Sequence, residues 1–271
     1  MNPDDNQRPK WHPRYGTPSE RREPDYVYGR HAVFEALEAG RSIDRILLKR
    51  DLDSATARAI TERAHAAGVP VQRVPIQRLD RITRKTHQGM IALLAAVDYY
   101  RLDDLIPSWF DEGGNPMVVV LDGVTDVRNF GAIARTCECA GVNAIVIPDH
   151  GSVSITADAV KTSAGALNVL PVCRVPRLTD AITLLRDSGF DIVGTSDHNA
   201  TDYTTPDYTH PVAIVLGDEG NGISPQVMDL CNHRVVIPEF GQINSLNVSV
   251  AAGIVIYEAV RQRMAQGQTV K

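Results

Sequence analysis

The stretch MVVVLDGVTDVRNFGAIARTCECAG (Met117–Gly141) decides how the second half of this chain folds. Its first residues form a continuous apolar run, the pattern of a strand buried on both faces of a parallel sheet. A polar, bulky loop follows, and then a helix over about 130–140. Further strands are predicted at NAIVIP (143–148), VLPVCRV (169–175), FDIVGTS (190–196), PVAIVLG (211–217) and RVVIP (234–238). Helices are predicted at about 156–164, 177–188, 224–230 and 246–263. Strands alternating with helices make a parallel, two-sided α/β sheet. No internal repeat or low-complexity segment interrupts the pattern.

The pattern on the N-terminal side is shorter and self-contained. GRHAVFEALEAG (29–40) reads as an amphipathic helix stopped by Gly40, IDRILLK (43–49) as a strand, and SATARAITERAHAAG (54–68) as a helix. VPVQRVP (69–75), IQRLDRITR (76–84) and GMIALLAAV (89–97) add a strand, a helix and a strand. These make a small α/β module over 30–97. His87 and Gln88 are expected to shape a turn at its end. Residues 98–116 (DYYRLDDLIPSWFDEGGNP) suit a linker with one or two helical turns, leaving 117–271 as the second domain. Residues 1–29 are polar and proline-rich, and read as a disordered arm. Trp11 and Tyr15 in it offer stacking surfaces to RNA, the alternative being a plain flexible tail.

The charge is divided unevenly. The whole chain of 271 residues has a formal net charge of −5, which taken alone argues against a nucleic-acid partner. Yet residues 30–97 carry 12 Lys and Arg against 7 Asp and Glu, while residues 98–271 carry 11 against 21. The first module is therefore expected to meet a polyanion, unless its arginines are only solvated helix faces. Cys137, Cys139, Cys173 and Cys231 do not have zinc-site spacing and read as small, mostly buried, reduced thiols. The start of the chain lacks a signal-peptide pattern, and no apolar run approaches the ~20 residues that span a bilayer. A cytoplasmic location is expected.

In an open α/β sheet, ligands gather at the C-terminal ends of the strands, and three ends here are chemically loaded. One carries LDGVTDVRNFGAIARTCECAG, one GDEGNGIS, and one IPEFGQINSLNVSVA. The early glycine fingerprint of a dinucleotide site is missing, which sets aside a Rossmann-type oxidoreductase. Glycines cluster late instead, at Gly217, Gly220 and Gly222, where they let backbone approach a flat ligand or simply form a turn. The third segment sets Gln242, Asn244, Ser245 and Asn247 before a very apolar helix. Ser245 or Asn247 can serve as its N-cap, which explains one polar residue but not four.

Together DxxxNFGAIART, LGDEGNGI and IPEFGxxNSLNVSVA resemble the three motifs of the SpoU (TrmH-type) RNA 2′-O-ribose methyltransferases of the SPOUT superfamily. YGRHAVFEAL and HQGMIAL resemble the L30e-like RNA-binding domain of its RlmB-like branch, the 23S rRNA guanosine-2′-O-methyltransferases. The resemblance covers about residues 28–265. One departure is Val127, where the family usually has proline, a change expected to loosen the loop presenting Asn129.

The resemblance implies a C-terminal SPOUT domain with a parallel sheet and a deep trefoil knot, an exception to the rule that chains do not thread loops. It implies S-adenosyl-L-methionine as cofactor, held by Thr195, Leu216, Gly217, Ile237 and Leu246, and no metal. It implies a homodimer with catalytic groups drawn from one or both chains, and structured RNA as substrate. That RNA would be gripped by Arg41, Arg45, Lys49, Arg50, Arg81, Arg84 and Lys85, in a salt-sensitive way. A tRNA ribose methyltransferase and a non-catalytic ribosome-assembly protein on the same scaffold are the alternatives.

The implied catalytic set is Arg135, Asn129, Glu219, Ser245 and Asn247. Arginine stays protonated, so Arg135 is assigned to clamp a phosphate and stabilise developing negative charge. A surface ion pair with Glu138 is its alternative. Glu219 stands as base, as orienter of Arg135, or as a support for loop backbone. Asn129, Ser245 and Asn247 would fix ribose, phosphate or arginine by hydrogen bonds, with Asn247 as a mere cap the alternative.

Overall fold

A computed structural model describes residues 25–111, 113–218, 220–242 and 245–267. Glu219, Asn244, Trp11, Tyr15 and nearly all of the expected arm lie outside the described residues. The arm's last residues depart from expectation: β1 (Tyr26–Tyr28) is the edge strand of the first sheet. Three residues are too few to show a period, so only pairing with a neighbour reveals them.

The first unit contains β1, α1 (Arg30–Glu38), β2 (Ile43–Lys49), α2 (Ser54–Ala66), β3 (Val71–Val74), α3 (Ile76–Ile82) and β4 (Met90–Leu94). Its sheet runs β1-β4-β2-β3, with β4 antiparallel to both neighbours and β2 parallel to β3. Both sheet faces are apolar: Val33, Ile46, Ile60 and Met90 pack on one side, Leu47, Leu79 and Ile91 on the other. His87 shapes the turn before β4, accepting from Gly89 N at Nδ1 (3.0 Å) and meeting Asp80 through Nε2 (3.0 Å).

The second unit opens with β5 (Tyr99–Tyr100) and α4 (Leu102–Asp111), followed by β6 (Met117–Asp122), α5 (Val127–Cys139), β7 (Ala144–Pro148) and α6 (Ala157–Thr162). It continues with β8 (Val172–Val175), α7 (Leu178–Asp187), β9 (Asp191–Thr195), β10 (Thr201–Asp202) and β11 (Val212–Gly217). It ends with α8 (Pro225–Met228), β12 (His233–Val236) and α9 (Val248–Ala265). All eight strands pair in parallel in the order β10-β12-β9-β11-β6-β7-β8-β5. Successive side chains of β6 alternate between two dry faces, as the unbroken apolar run requires. Met117, Val119 and Leu121 join Phe130, Ile133, Val255 and Ile256 under α5 and α9, whereas Val118 and Val120 join Trp109, Ile182 and Leu185 under α4 and α7. Each such fully buried side chain contributes about 1.5–3 kcal/mol.

The segment 98–116 is therefore more than a connector. β5 pairs with β8, and α4 buries Leu102, Ile106 and Trp109 against the larger sheet. Its five acidic residues, glycine pair and Pro116 suit a linker, but its apolar residues recur three to four apart, which is the stripe of a docked helix. The thiols also differ in part from expectation: Cys137 and Cys173 are buried and Cys231 is half-buried, but Cys139 is exposed. Among the described residues no helix is long and apolar enough to cross a membrane.

Two buried or half-buried arginines hold the architecture through backbone carbonyls. Arg263, near the end of α9, donates to the carbonyls of Tyr208 (2.9 Å), Asn115 (2.7 Å) and His210 (3.0 Å) at the N-terminal edge of the sheet. Arg174 of β8 reaches across to the first unit in the same manner.

Candidate active site

Because the strands are parallel, β9, β11 and β12 end on one edge, and the loops that leave them enclose a cleft of about 860 Å³. Thr195 closes β9, Leu216 and Gly217 close β11, and Ile237 follows β12. Leu246 comes from the segment leading into α9. All five line this one cleft, and Ser245 lines it too. They are thus brought together from four separate segments between residues 195 and 246.

Gly217 has a reason to be glycine apart from any ligand. A Cβ there would lie 2.0 Å from the carbonyl carbon of Gly222 and 2.2 Å from the nitrogen of Ile223. Gly222 and Ile223 thus lie back against the strand end at Gly217, with Asp218 bridged to Gly222. Asp218 holds this fold: its carboxylate accepts from Gly220 N (2.6 Å), Asn221 N (2.7 Å) and Asn221 Nδ2 (3.1 Å). Those donors keep its pKa below the usual carboxylate value. Of the three late glycines only Gly222 adopts a positive φ, +66°.

The cleft has further walls outside the expected cofactor-binding set, among them Asp197, His198, Ile223, Met228 and Glu239. Asp197, His198 and Glu239 follow strand ends, so the strand-end rule alone could have found them. Ile223 and Glu239 also stand inside the motifs LGDEGNGI and IPEFGxxNSLNVSVA, whereas Met228 carries neither signal. Apolar walls beside several carboxylates suit a ligand with a flat apolar ring and positive charge.

At the start of α5, Asp126 is the N-cap, its Oδ1 accepting from Arg128 N (2.8 Å) and Asn129 N (2.9 Å). The helix therefore starts at Val127, earlier than expected. Val127 occupies the first helical position, where proline is also at home, and it packs against the core. The expected loosening at Val127 meets a loop end closed by Asp126.

Asn247, one of the four polar residues ahead of α9, has two roles. Its Oδ1 caps the helix by accepting from Ser249 N (2.9 Å), and its Nδ2 donates to Asn129 Oδ1 (2.9 Å). The cap and the inter-helix link are one side chain, not alternatives. Asn247→Ala should lose both and cost about 1–2 kcal/mol, whereas Asn247→Ser, which still caps but cannot reach Asn129, should cost less than about 1 kcal/mol. Denaturant melts of the two variants check this, and equal losses would refute the dual role.

Arg135 stands apart. It is exposed on α5 and does not line the cleft. Among the described residues Arg135 forms no ion pair with Glu138, which is exposed one turn further along α5. Glu219 lies outside the described residues.

On the first unit, Arg50, Arg81 and Arg84 are exposed. Lys49 pairs with Asp51 (2.9 Å), Arg45 with Asp44 (2.8 Å), and Lys85 lies over the Tyr28 ring (5.6 Å). The positive surface is thus partly neutralised at Lys49 and Arg45 and open at the other three.

Residues 116–257 match the SpoU rRNA methylase family, and residues 26–100 match the substrate-binding domain of RNA 2′-O ribose methyltransferases. A Staphylococcus aureus protein named for the TrmH family of tRNA/rRNA methyltransferases is 38% identical over 246 residues, covering 91% of this chain and 99% of its own. An AdoMet-bound rRNA methyltransferase from Sinorhizobium meliloti has 27% identity and a TM-score of 0.56, covering 87% of this chain and 86% of its own. The TrmH/SpoU tRNA-modifying enzyme of A. aeolicus has 29% identity and a TM-score of 0.53, with 62% of this chain and 86% of its own covered. With both units matched in order, this chain belongs to the SpoU (TrmH-type) family of SPOUT-superfamily RNA methyltransferases.

Proposed function

We propose that this S-adenosylmethionine-dependent RNA 2′-O-methyltransferase modifies a guanosine ribose of 23S rRNA, as a cytoplasmic homodimer. The observation that carries the cofactor assignment is the convergence of Thr195, Leu216, Gly217, Ile237 and Leu246 on one cleft. S-adenosylmethionine has a flat adenine, a cationic sulfonium and an ammonium group. Apolar Leu216, Ile223 and Leu246 fit the first, and the carboxylates of Asp197 and Glu239 fit the charges. The cofactor supplies an activated methyl group on sulfur, which makes metal assistance unnecessary.

The chain's own residues must then align a ribose 2′-hydroxyl and favour its alkoxide-like form. Asn129 and Asn247, already linked, and Ser245 at the cleft wall are assigned to hold ribose and phosphate. Arg135 is assigned to clamp the neighbouring phosphate and stabilise developing negative charge. Its position away from its own cleft favours a site with groups drawn from both chains. α9 supports the dimer: with one face buried in the core, it still exposes Val250, Tyr257 and Met264 along a second stripe at helical spacing. A second copy of this chain is the proposed occupant of that stripe.

The L30e-like assignment of the first unit and the trefoil knot belong to the same reading. Support for the knot comes from the late chain: after β12 it returns to line the cleft at Ser245 and Leu246, then packs α9 against α5. The rRNA assignment is favoured over tRNA because the rRNA relative spans both units, whereas the tRNA-modifying relative covers 62% of the chain.

Incorporation of labelled methyl from S-adenosylmethionine into unmodified 23S rRNA, 16S rRNA and tRNA, mapped to the nucleotide, tests this. The expected product is a single 2′-O-methylguanosine in 23S rRNA. Labelling of tRNA alone would move the enzyme to the alternative substrate. Absence of labelling together with absence of cofactor binding in calorimetry would leave a non-catalytic RNA-binding protein.

A further inference from the structure

The two units meet through a polar joint centred on Arg174. Its strand, β8, lies next to β5 near one edge of the larger sheet, yet its guanidinium serves the other unit. Nη1 donates to the Asp44 carbonyl, and Nη2 donates to the carbonyls of Ile43 (3.1 Å) and Gly68 (3.1 Å). The guanidinium also stacks on Tyr99, its Cζ 3.9 Å from the ring centroid, and Tyr99 Oη donates to Asp44 Oδ1 (3.0 Å).

The receiving side is shaped for this contact. The register between β2 and β4 shifts between Ile43 and Arg45, so Asp44 sits in a bulge. A bulge releases backbone groups from the ladder and re-aims a side chain. Here it frees the Asp44 carbonyl and turns its carboxylate, only 3% exposed, toward Tyr99. The apolar cores of the two units stay separate, each confined to its own sheet. Apolar contact is non-directional, whereas three hydrogen bonds from one planar fork fix an angle. The arrangement is kept although the buried Nε of Arg174 has no partner. One further backbone bond, Ala96 N to the Ile155 carbonyl (2.9 Å), crosses near the same joint.

We propose that Arg174 is a positioning residue for methyl transfer: by clamping the bulge of the first sheet to the edge of the second, it sets the distance from the RNA-gripping surface to the cofactor cleft. Which ribose reaches the cleft then depends on this joint. The proposal rests on the rRNA methyltransferase reading, and its test has one readout that does not depend on activity.

The full-length protein is spin-labelled at Glu62→Cys and Asp187→Cys, both exposed positions on different units, in a Cys139→Ser background. The inter-label distance distribution is then recorded for otherwise unaltered protein, Arg174→Ala, Arg174→Lys and Tyr99→Phe. Arg174→Ala should broaden the distribution and lower kcat on rRNA about 10- to 100-fold. Its KM and its cofactor affinity should stay unchanged, and methyl groups should spread to neighbouring nucleotides. Arg174→Lys, which keeps a donor without the fork, should recover part of both effects. Tyr99→Phe, which deletes one hydroxyl and is the milder test of folding, should broaden the distribution less. A distribution as narrow as the unaltered protein's in both Arg174→Ala and Tyr99→Phe would overturn the clamp. A broadened distribution with unaltered kcat and a single target would overturn the positioning role. If the unaltered protein labels no RNA, the methyltransferase reading fails and the positioning role with it, while the distance readout still decides the clamp.

Discussion

Gly217→Ala should abolish S-adenosylmethionine binding in calorimetry and lower the stability of the fold in the same protein. The added Cβ would sit 2.0 Å from Gly222 and 2.2 Å from Ile223, and both contacts are with backbone. A flexible side chain could swing away, but this loop is tied at Asp218 by three donors and cannot yield without opening. Opening it displaces Gly217, Asp218 and Ile223 from the cleft wall together. Overpacking of this kind costs about 1–3 kcal/mol and occasionally more. Gly114→Ala is the control, since its Cβ would meet only the Trp109 carbonyl at 3.9 Å. Full cofactor affinity in Gly217→Ala would show that the loop does not wall the cofactor site.

Arg135→Ala should produce the opposite dissociation, with activity lost and stability kept. The side chain is exposed, so its removal should change stability by less than about 0.5 kcal/mol. Loss of a donor that stabilises developing negative charge lowers kcat about 10²- to 10³-fold. Arg135→Lys should recover only part, because a point charge replaces a planar fork. Cofactor affinity should be unchanged in both variants. Mixing Arg135→Ala chains with Gly217→Ala chains adds a test of the dimer. If Arg135 serves its partner's cleft, the mixed dimer has a cleft intact in the cofactor loop but facing an intact arginine only from the Gly217→Ala chain. Activity recovered on mixing would establish the shared site, and none would place Arg135 in its own chain's cleft.

Much of the candidate cleft is legible because it follows strand ends. An unbroken apolar run shows where a strand is, parallel order brings the C-terminal ends to one edge, and polar loops mark which ends carry chemistry. Thr195, Leu216 and Gly217 were accessible to that logic, with the family resemblance selecting them. The Asn129–Asn247 bond was not, because its partners are 118 residues apart and local sequence does not encode which loops meet. Nor was the second reason for Gly217, since a close approach within one loop and a close approach of ligand to loop call for the same residue.

By itself the sequence determined the principal elements, the two α/β units and the late glycine and asparagine segments that build the cleft. These rest on local periodicity and on residue types with few conformational alternatives. Tertiary structure alone decided the edge strands Tyr26–Tyr28, Tyr99–Tyr100 and Thr201–Asp202, each too short to display a period. It also decided the docking of Leu102–Asp111, the exposure of Arg135 and the grip of Arg174 on a bulge 130 residues away. Each of these depends on which surfaces come together once the sheets have formed, a long-range outcome that no window of neighbouring residues contains.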